Sequence, residues 1–385
     1  MNHVYFDHNA TTKLDSEVLA AMMPWLGSQS GNPTSRHQFG RNARDAVELA
    51  RNQVAEACGA YPSQIIFTAN GTEANNFAIK GMAGHVMGGQ LLTSAIEHPC
   101  VTNPARMMQF FGHLHQTIAV NANGEVDLAT FEEQLKKPTS LVSVMTANNE
   151  TGVIQDISSI AEMARKAGAL VHTDAVQMLS KVALDFDALN VHAMTISSHK
   201  IHGPQGAAAL VLDKRVDITP LLHGGGQEKG LRSGTENVAA IVGFGAACAL
   251  ARNRIKVHGV KIQALRDQFE RDLAELAKDL NITIFSQEAK RLPNTTFFAI
   301  AGIEGETLVM ALDRKGYAVA SGSACSSDST EPSHVLLAMG VDPDLARGAV
   351  RVSFGVENSK KQVSDFVKTL MSEITRLKQL TAIAA

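Results

Sequence analysis

Apolar residues recur along the chain in two rhythms. In 41–57, Val47, Ala50, Val54 and Ala57 fall three and four residues apart before Gly59. In 157–167, Ile157, Ile160, Met163, Ala164 and Ala167 do the same before Gly168. Such spacing gathers apolar side chains on one helical face, and the glycine offers the turn on which helices end, so both segments are predicted to be amphipathic helices. The second rhythm is the short continuous run: 64–68, 90–94, 141–146, 169–173, 193–197 and 207–212 are strand-length and rich in Val, Ile, Leu and Thr. Strands that are apolar throughout and alternate with helices predict a mainly parallel sheet covered on both faces.

The texture changes after about residue 250. A long helix is predicted to carry Ile262, Leu265, Phe269, Leu273 and Leu276, with strands near 282–285 and 295–300. A last helix starts near Ser359, where SKKQ has the spacing of a capping box, and runs through Val363, Phe366, Val367, Leu370, Ile374 and Leu377. With 385 residues, more than one core is expected. The division predicted is a large domain over 15–255 and a smaller α+β domain from 1–14 and 256–385.

Charge narrows the function. The formal net charge is −3, with no polybasic block or acidic tail, so neither nucleic acid nor a membrane surface is the expected partner. The N-terminal segment lacks a basic start and apolar core, and no uninterrupted apolar run reaches membrane-spanning length, which predicts a soluble, cytoplasmic protein. The four cysteines are far apart and form no CxxC pair, so neither a disulfide framework nor a thiolate metal site is expected. Cys58 and Cys248 read as small core residues, and Cys100 follows His98 and Pro99 closely. His192, His199 and His202 lack the spacing of a zinc site. Cys325 is different: it lies in SGSACSSDSTEPSHV, among residues too small to pack a core.

Polar clusters follow the predicted strands directly, where open α/β sheets place ligands. Gly71 and Thr72 would open a helix after 64–68, as an ordinary cap or as a phosphate cradle. His98 follows 90–94, in a structural or a catalytic role. Asn149 and Glu150 follow 141–146 in TANNETG, where turn chemistry alone accounts for the asparagines and ligand binding is the other reading. Asp174 and Gln177 follow the next run, and a carboxylate placed there calls for a positive partner. Ser197, His199 and Lys200 close the series. Such a lysine is either a solvated loop residue or a desolvated amine able to form a Schiff base. A phosphate cradle, a ring-sized histidine, an acid for a ring nitrogen and an amine together suit pyridoxal phosphate.

With DHNATT, GNPTSRHQFG, FTANGTEANNFAI, SAIEHPCV, ANNETGVIQD, HTDAVQ, SSHKIHGPQG, GGGQEKGLRSGTEN, RLPNTTF, SGSACSSDSTEPSHVL and VRVSFG in this order, nearly the whole chain resembles the cysteine desulfurases of the NifS/IscS type. These belong to the class V aminotransferase group of fold type I pyridoxal-phosphate enzymes. The resemblance implies an α/β fold with a mainly parallel seven-stranded sheet and a smaller α+β domain carrying a mobile Cys325 loop. It implies that Lys200 holds the cofactor, that His98 stacks on its ring and takes part in proton transfer, and that Asp174 pairs with the ring nitrogen. Gln177 would bond the phenolic oxygen, and Gly71, Thr72, Ser197 and His199 the phosphate. Thr235 would reach the phosphate of a neighbouring subunit in a homodimer. Arg351 would grip the substrate carboxylate with Asn32 and Asn149, with Arg347 as the competing arginine.

The activity implied is conversion of L-cysteine to L-alanine, with sulfur carried on Cys325 as a persulfide to an acceptor such as an iron–sulfur scaffold. No essential metal is implied, though the family admits Cys325 as a transient iron–sulfur ligand. Selenocysteine lyase, an aminotransferase on the same scaffold, and a non-catalytic scaffold partner are the alternatives. His8 departs from the DNNATT form of the opening motif, and Val356 stands where many relatives have arginine.

Overall fold

The computed structural model describes residues 3–84, 88–276, 280–322 and 331–384. Its larger sheet has seven strands, in the order Ile65–Thr68, Ala208–Leu212, Ala193–Ser197, Leu170–Asp174, Thr139–Ser143, Gln90–Ser94 and Leu114–Ile118. Ala208–Leu212 runs against both neighbours, and every other pairing in the sheet is parallel. Successive side chains go to opposite faces. Ile65, Phe67, Leu92 and Val142 join the core formed with Val47, Val54, Ile160 and Phe244. Ile66, Leu91 and Leu141 join the core on the other face, with Phe77, Ile79, Met82 and Val101. Burial on both faces is why these strands read as unbroken apolar runs.

Leu114–Ile118 is the strand that the apolar runs do not announce. Its sequence LHQTI is half polar because it lies at the sheet edge, where only Ile118 is buried. The predicted helices form as Gln38–Ala57 and Ile157–Lys166.

A four-stranded antiparallel sheet orders Ala320–Ser321, Ala349–Ser353, Thr295–Ile300 and Ile282–Ile284. Its core is aromatic: Phe269 contacts Phe354 with ring centroids 5.7 Å apart, and Phe6 contacts Phe366 at 5.1 Å. The helix Lys360–Ala384 covers it. The capping box holds, since Gln362 Oε1 accepts from the Ser359 N–H at 2.9 Å and Ser359 Oγ accepts from the Gln362 N–H at 3.3 Å.

One helix serves both cores. Val238–Leu276 places Ala240, Ile241, Phe244 and Cys248 against the large sheet and Leu265, Phe269 and Leu273 against the small one. It starts well before residue 250, in a segment where AIVGFGAACAL is too evenly apolar for a stripe to announce it. By length and composition alone part of it would suit a bilayer, but these apolar residues pack the two interiors.

The N-terminal segment ties the sheets together. Val4–Tyr5 pairs in parallel with Tyr317–Ala318, and Asp7 bridges to Ser353.

Candidate active site

The parallel strands deliver their carboxyl ends to one edge of the large sheet, and a cavity of about 450 Å³ opens there. It is lined by Gly71, Thr72, His98, Asn149, Asp174, Gln177, Ser197, His199, Lys200 and Arg351. Ten residues singled out from the sequence thus meet at one place.

Past Ile65–Thr68, Asn70 caps the helix Gly71–Ala83, its side chain accepting from the Glu73 N–H at 2.8 Å. A Cβ on Gly71 would come within 3.2 Å of Val176 Cγ2, so glycine keeps this helix start open toward the cavity. Ser197 Oγ, buried in the wall, has no hydrogen-bond partner among the described residues.

Asp174 Oδ2 accepts from Asn75 Nδ2 at 2.7 Å and Oδ1 from the Val176 N–H at 2.9 Å. Among the described residues no cationic side chain forms an ion pair with it, although the carboxylate is largely buried. His98 Nδ1 accepts from the Cys100 N–H at 3.1 Å and lies 2.9 Å from Cys100 Sγ. Burial, reinforced by Lys200 and His334, holds His98 below the ordinary histidine range against the opposing pull of Asp174. Burial and then Asp174 push the Cys100 thiol up to about 12, so it is a neutral neighbour of the histidine.

Lys200 ends the strand Ala193–Ser197 by one tight turn, and its Nζ donates to the carbonyl oxygens of Asn9 and Ala10, each at 2.5 Å. His199 Nδ1 lies 3.2 Å from Thr11 Oγ1, and burial with the adjacent Lys200 pushes its imidazole down to about 4. Gln177 Nε2 donates to the Asn9 carbonyl at 3.0 Å.

Arg351 enters from the other sheet. It sits in the middle of Ala349–Ser353, donating from Nη1 to the Asn149 carbonyl at 3.0 Å and from Nη2 to Asp7 Oδ1 at 2.6 Å. Its Nε is buried without a hydrogen-bond partner among the described residues. Arg347, the competing arginine, is half exposed, paired with Asp344 and outside this cavity.

Two sequence-derived residues are not brought here. Asn32 is exposed and accepts from Thr34, Thr235 is exposed, and neither lines the cavity. Cys325 lies outside the described residues. Glu150 is buried and accepts from Ser333 Oγ at 2.5 Å. Cys58 and Cys248 are fully buried, as expected of core thiols.

The sequence profile described as aminotransferase class-V matches residues 4–366. The chain belongs to the class V aminotransferase family. Within that family it is 40% identical over 380 residues to "Cysteine desulfurase IscS" of Dictyoglomus turgidum, covering 98% of this chain and 96% of the relative. It is 39% identical to "Cysteine desulfurase" of Gluconacetobacter diazotrophicus over 99% of this chain and 96% of that one. Its fold matches the NifS-like protein from Rickettsia africae with a TM-score of 0.88 at 37% identity, covering 97% of this chain and 100% of that one. It also matches "SspA in complex with cysteine" with a TM-score of 0.80 at 32% identity, covering 91% of this chain and 98% of that one. Class V aminotransferases and cysteine desulfurases are pyridoxal-phosphate-dependent, and the fold is that of the NifS-like members.

Reading the sequence for strand ends missed Asn9, Asp7, Asn75 and Lys181. Asn75 had a signal: it follows Gly71 by four residues and so lies over the same helical face. Asp7 and Asn9 stand in the DHNATT segment, but their partners are more than 100 residues away.

Proposed function

We infer that this cavity is the active site of a pyridoxal-phosphate-dependent cysteine desulfurase acting in sulfur transfer. The observation that carries the reading is the pairing, in one cavity, of a largely buried carboxylate without a cationic partner among the described residues, Asp174, with an amine at a strand end, Lys200. A buried carboxylate favours a positive neighbour, and a protonated pyridine nitrogen would supply one. The unpartnered Ser197 hydroxyl and the open helix start at Gly71 suit a phosphate in the same way.

Asp174, Gln177, Ser197, His199, Thr72 and Lys200 would hold pyridoxal phosphate, with His98 against its ring. When bound, the cofactor accepts the electron pair released at the substrate's Cα. Lys200 Nζ, freed from the Asn9 and Ala10 carbonyls, takes the Cα proton of L-cysteine. Arg351 would receive the substrate carboxylate, for which Nε has no partner among the described residues and Asp7 is the group to be displaced. Cys325, as thiolate, would attack the substrate sulfur: an S–S bond forms, the C–S bond breaks with its electron pair left on the carbon side, and protonation at Cβ together with return of the proton to Cα gives L-alanine.

A homodimer in which Thr235 completes the partner's phosphate site is part of this reading, in keeping with the exposure of Thr235. So are a cytoplasmic setting and an acceptor protein such as an iron–sulfur scaffold. The large domain of 15–255 and the small domain of 1–14 and 256–385 would carry the cofactor and the Cys325 loop respectively.

The test is alanine release from L-cysteine with dithiothreitol as sulfur acceptor, for the wild-type protein and Cys325→Ala. Loss of alanine release with cofactor absorbance retained is expected. Alanine formation that survives the substitution would sink the persulfide step, and transamination without sulfide would place the chain among the aminotransferases.

A further inference from the structure

Behind Lys200 lies a second cavity, of about 200 Å³, lined among others by His8, Lys181, His202, Asn294 and Glu357. Lys200 touches both cavities, and Lys181 forms part of the wall between the rear one and Gln177. Lys181 is half-buried, and the rear cavity is the open space beside it. Among the described residues it has no carboxylate partner. An ammonium partly removed from bulk water without a counter-ion is costly. Removal from water, with Lys200 and Arg351 nearby, holds the amine well below the ordinary lysine range.

Its two hydrogen bonds have a direction. Lys181 Nζ donates to Gln177 Oε1 at 2.7 Å and to Asn9 Oδ1 at 2.9 Å. Ammonium or amine, Nζ has N–H groups enough to donate to both oxygens. The oxygen end of the Gln177 amide is therefore turned toward Lys181 and the NH₂ end away from it, where one N–H meets the Asn9 carbonyl. Asn9 is fixed by the same amine, by Asn294 Nδ2 on the same oxygen at 2.9 Å, and by its own Nδ2 donating to Asn149 and Thr295. The Asn9 carbonyl thus held receives both Gln177 Nε2 and Lys200 Nζ.

We propose that Lys181 is a positioning residue that locks the Gln177 amide with its NH₂ toward the cofactor cavity and fixes the Asn9 carbonyl on which Lys200 rests. The phenolic oxygen of the cofactor, an acceptor, then meets a donor that cannot flip. This rests on the pyridoxal-phosphate reading of the site and adds a residue that lies outside the cavity.

The test compares wild type, Lys181→Met, Gln177→Ala and the double variant as full-length protein. Pyridoxal-phosphate affinity after cofactor removal, the pH midpoint of the bound cofactor's visible absorbance, and the melting temperature of the cofactor-free protein are measured. Groups facing Lys181 that also shape the midpoint are Lys200, Arg351 and His8. Lys181→Met is expected to bind the cofactor about tenfold more weakly and to shift the midpoint, with the cofactor-free melting temperature unchanged or raised. The double variant is expected to bind less weakly than the product of the two single losses, since part of the effect of Lys181 passes through Gln177. Unchanged affinity and midpoint, or losses that multiply in the double variant, overturn the proposal. Should Lys181→Met fail to fold, Lys181→Gln carries the same comparison. A wild-type protein that takes up no pyridoxal phosphate overturns the reading of the site instead. In that case exchange of the Gln177 side-chain amide protons, followed by NMR in the cofactor-free protein, decides the lock: it must quicken in the Lys181 variant.

Discussion

The two sheets supply chemistry in opposite ways. In the large sheet the groups lie just past the strands: Lys200, Asp174, Gln177 and His98 all occupy strand ends or the turns that follow. In the small sheet Arg351 is mid-strand, its neighbours paired on both sides by Thr295–Ile300 and Ala320–Ser321. A parallel strand buried on both faces has no open side to offer, so function moves to its carboxyl end. An antiparallel strand at a boundary has one face available, and a side chain there inherits the rigidity of the ladder. In the proposed reading, cofactor chemistry falls to the turns and substrate recognition to a strand.

The largest effect that would test this division falls on a strand end. Lys200→Ala is expected to lower alanine release by about 10³-fold or more and to change the visible absorbance of the bound cofactor. Normal turnover would remove the lysine from the chemistry.

Arg351→Lys should behave differently. Loss of the two-pronged grip is expected to raise KM for L-cysteine about 10- to 100-fold, with cofactor absorbance kept. If cofactor uptake fell instead, the assignment of recognition to the small sheet would be broken.

A polar residue inside a parallel strand should matter to stability alone, and His172 tests this. It is fully buried between Ser143 Oγ at 2.8 Å and Thr195 Oγ1 at 3.1 Å, and burial pushes it down to about 3 from 6.5. The unfolded chain therefore binds this proton more readily, and stability present above pH 6.5 is lost as pH falls toward 3. Denaturant titrations should show a loss of about 2 kcal/mol from this group between pH 6.5 and pH 5, absent in His172→Gln.

The smallest effect belongs to the small sheet's covering helix. Ser359→Ala removes the cap hydroxyl and should cost about 1 kcal/mol, read as a lower midpoint in denaturant with KM unchanged.

What could be read from the chain follows the same division. Six strands of the large sheet, and the polar ends of five of them, were legible because burial on both faces leaves unbroken apolar runs and the polar clusters follow at once. Leu114–Ile118 was not, because an edge strand needs no such run. The choice between Arg351 and Arg347 could not come from spacing. It follows from strand pairing that buries the first at the cavity and leaves the second with Asp344 at the surface. Lys181 was silent, since nothing in its own type marks a contact with Gln177, and Asn75, which bonds Asp174, was marked only by its spacing from Gly71.

The segment Asp7–Ala10 has one more consequence, in time. It holds Lys200 by two carbonyls, and is itself held by Asn294, Thr295, Ser353 and Arg351. During synthesis the acceptors for Lys200 leave the ribosome first, and the sheet that fixes them is completed some 340 residues later. The large sheet can assemble while the chain is still growing. The active site cannot, so a nascent chain stalled before residue 349 would carry its lysine and its acid without the frame that sets one against the other.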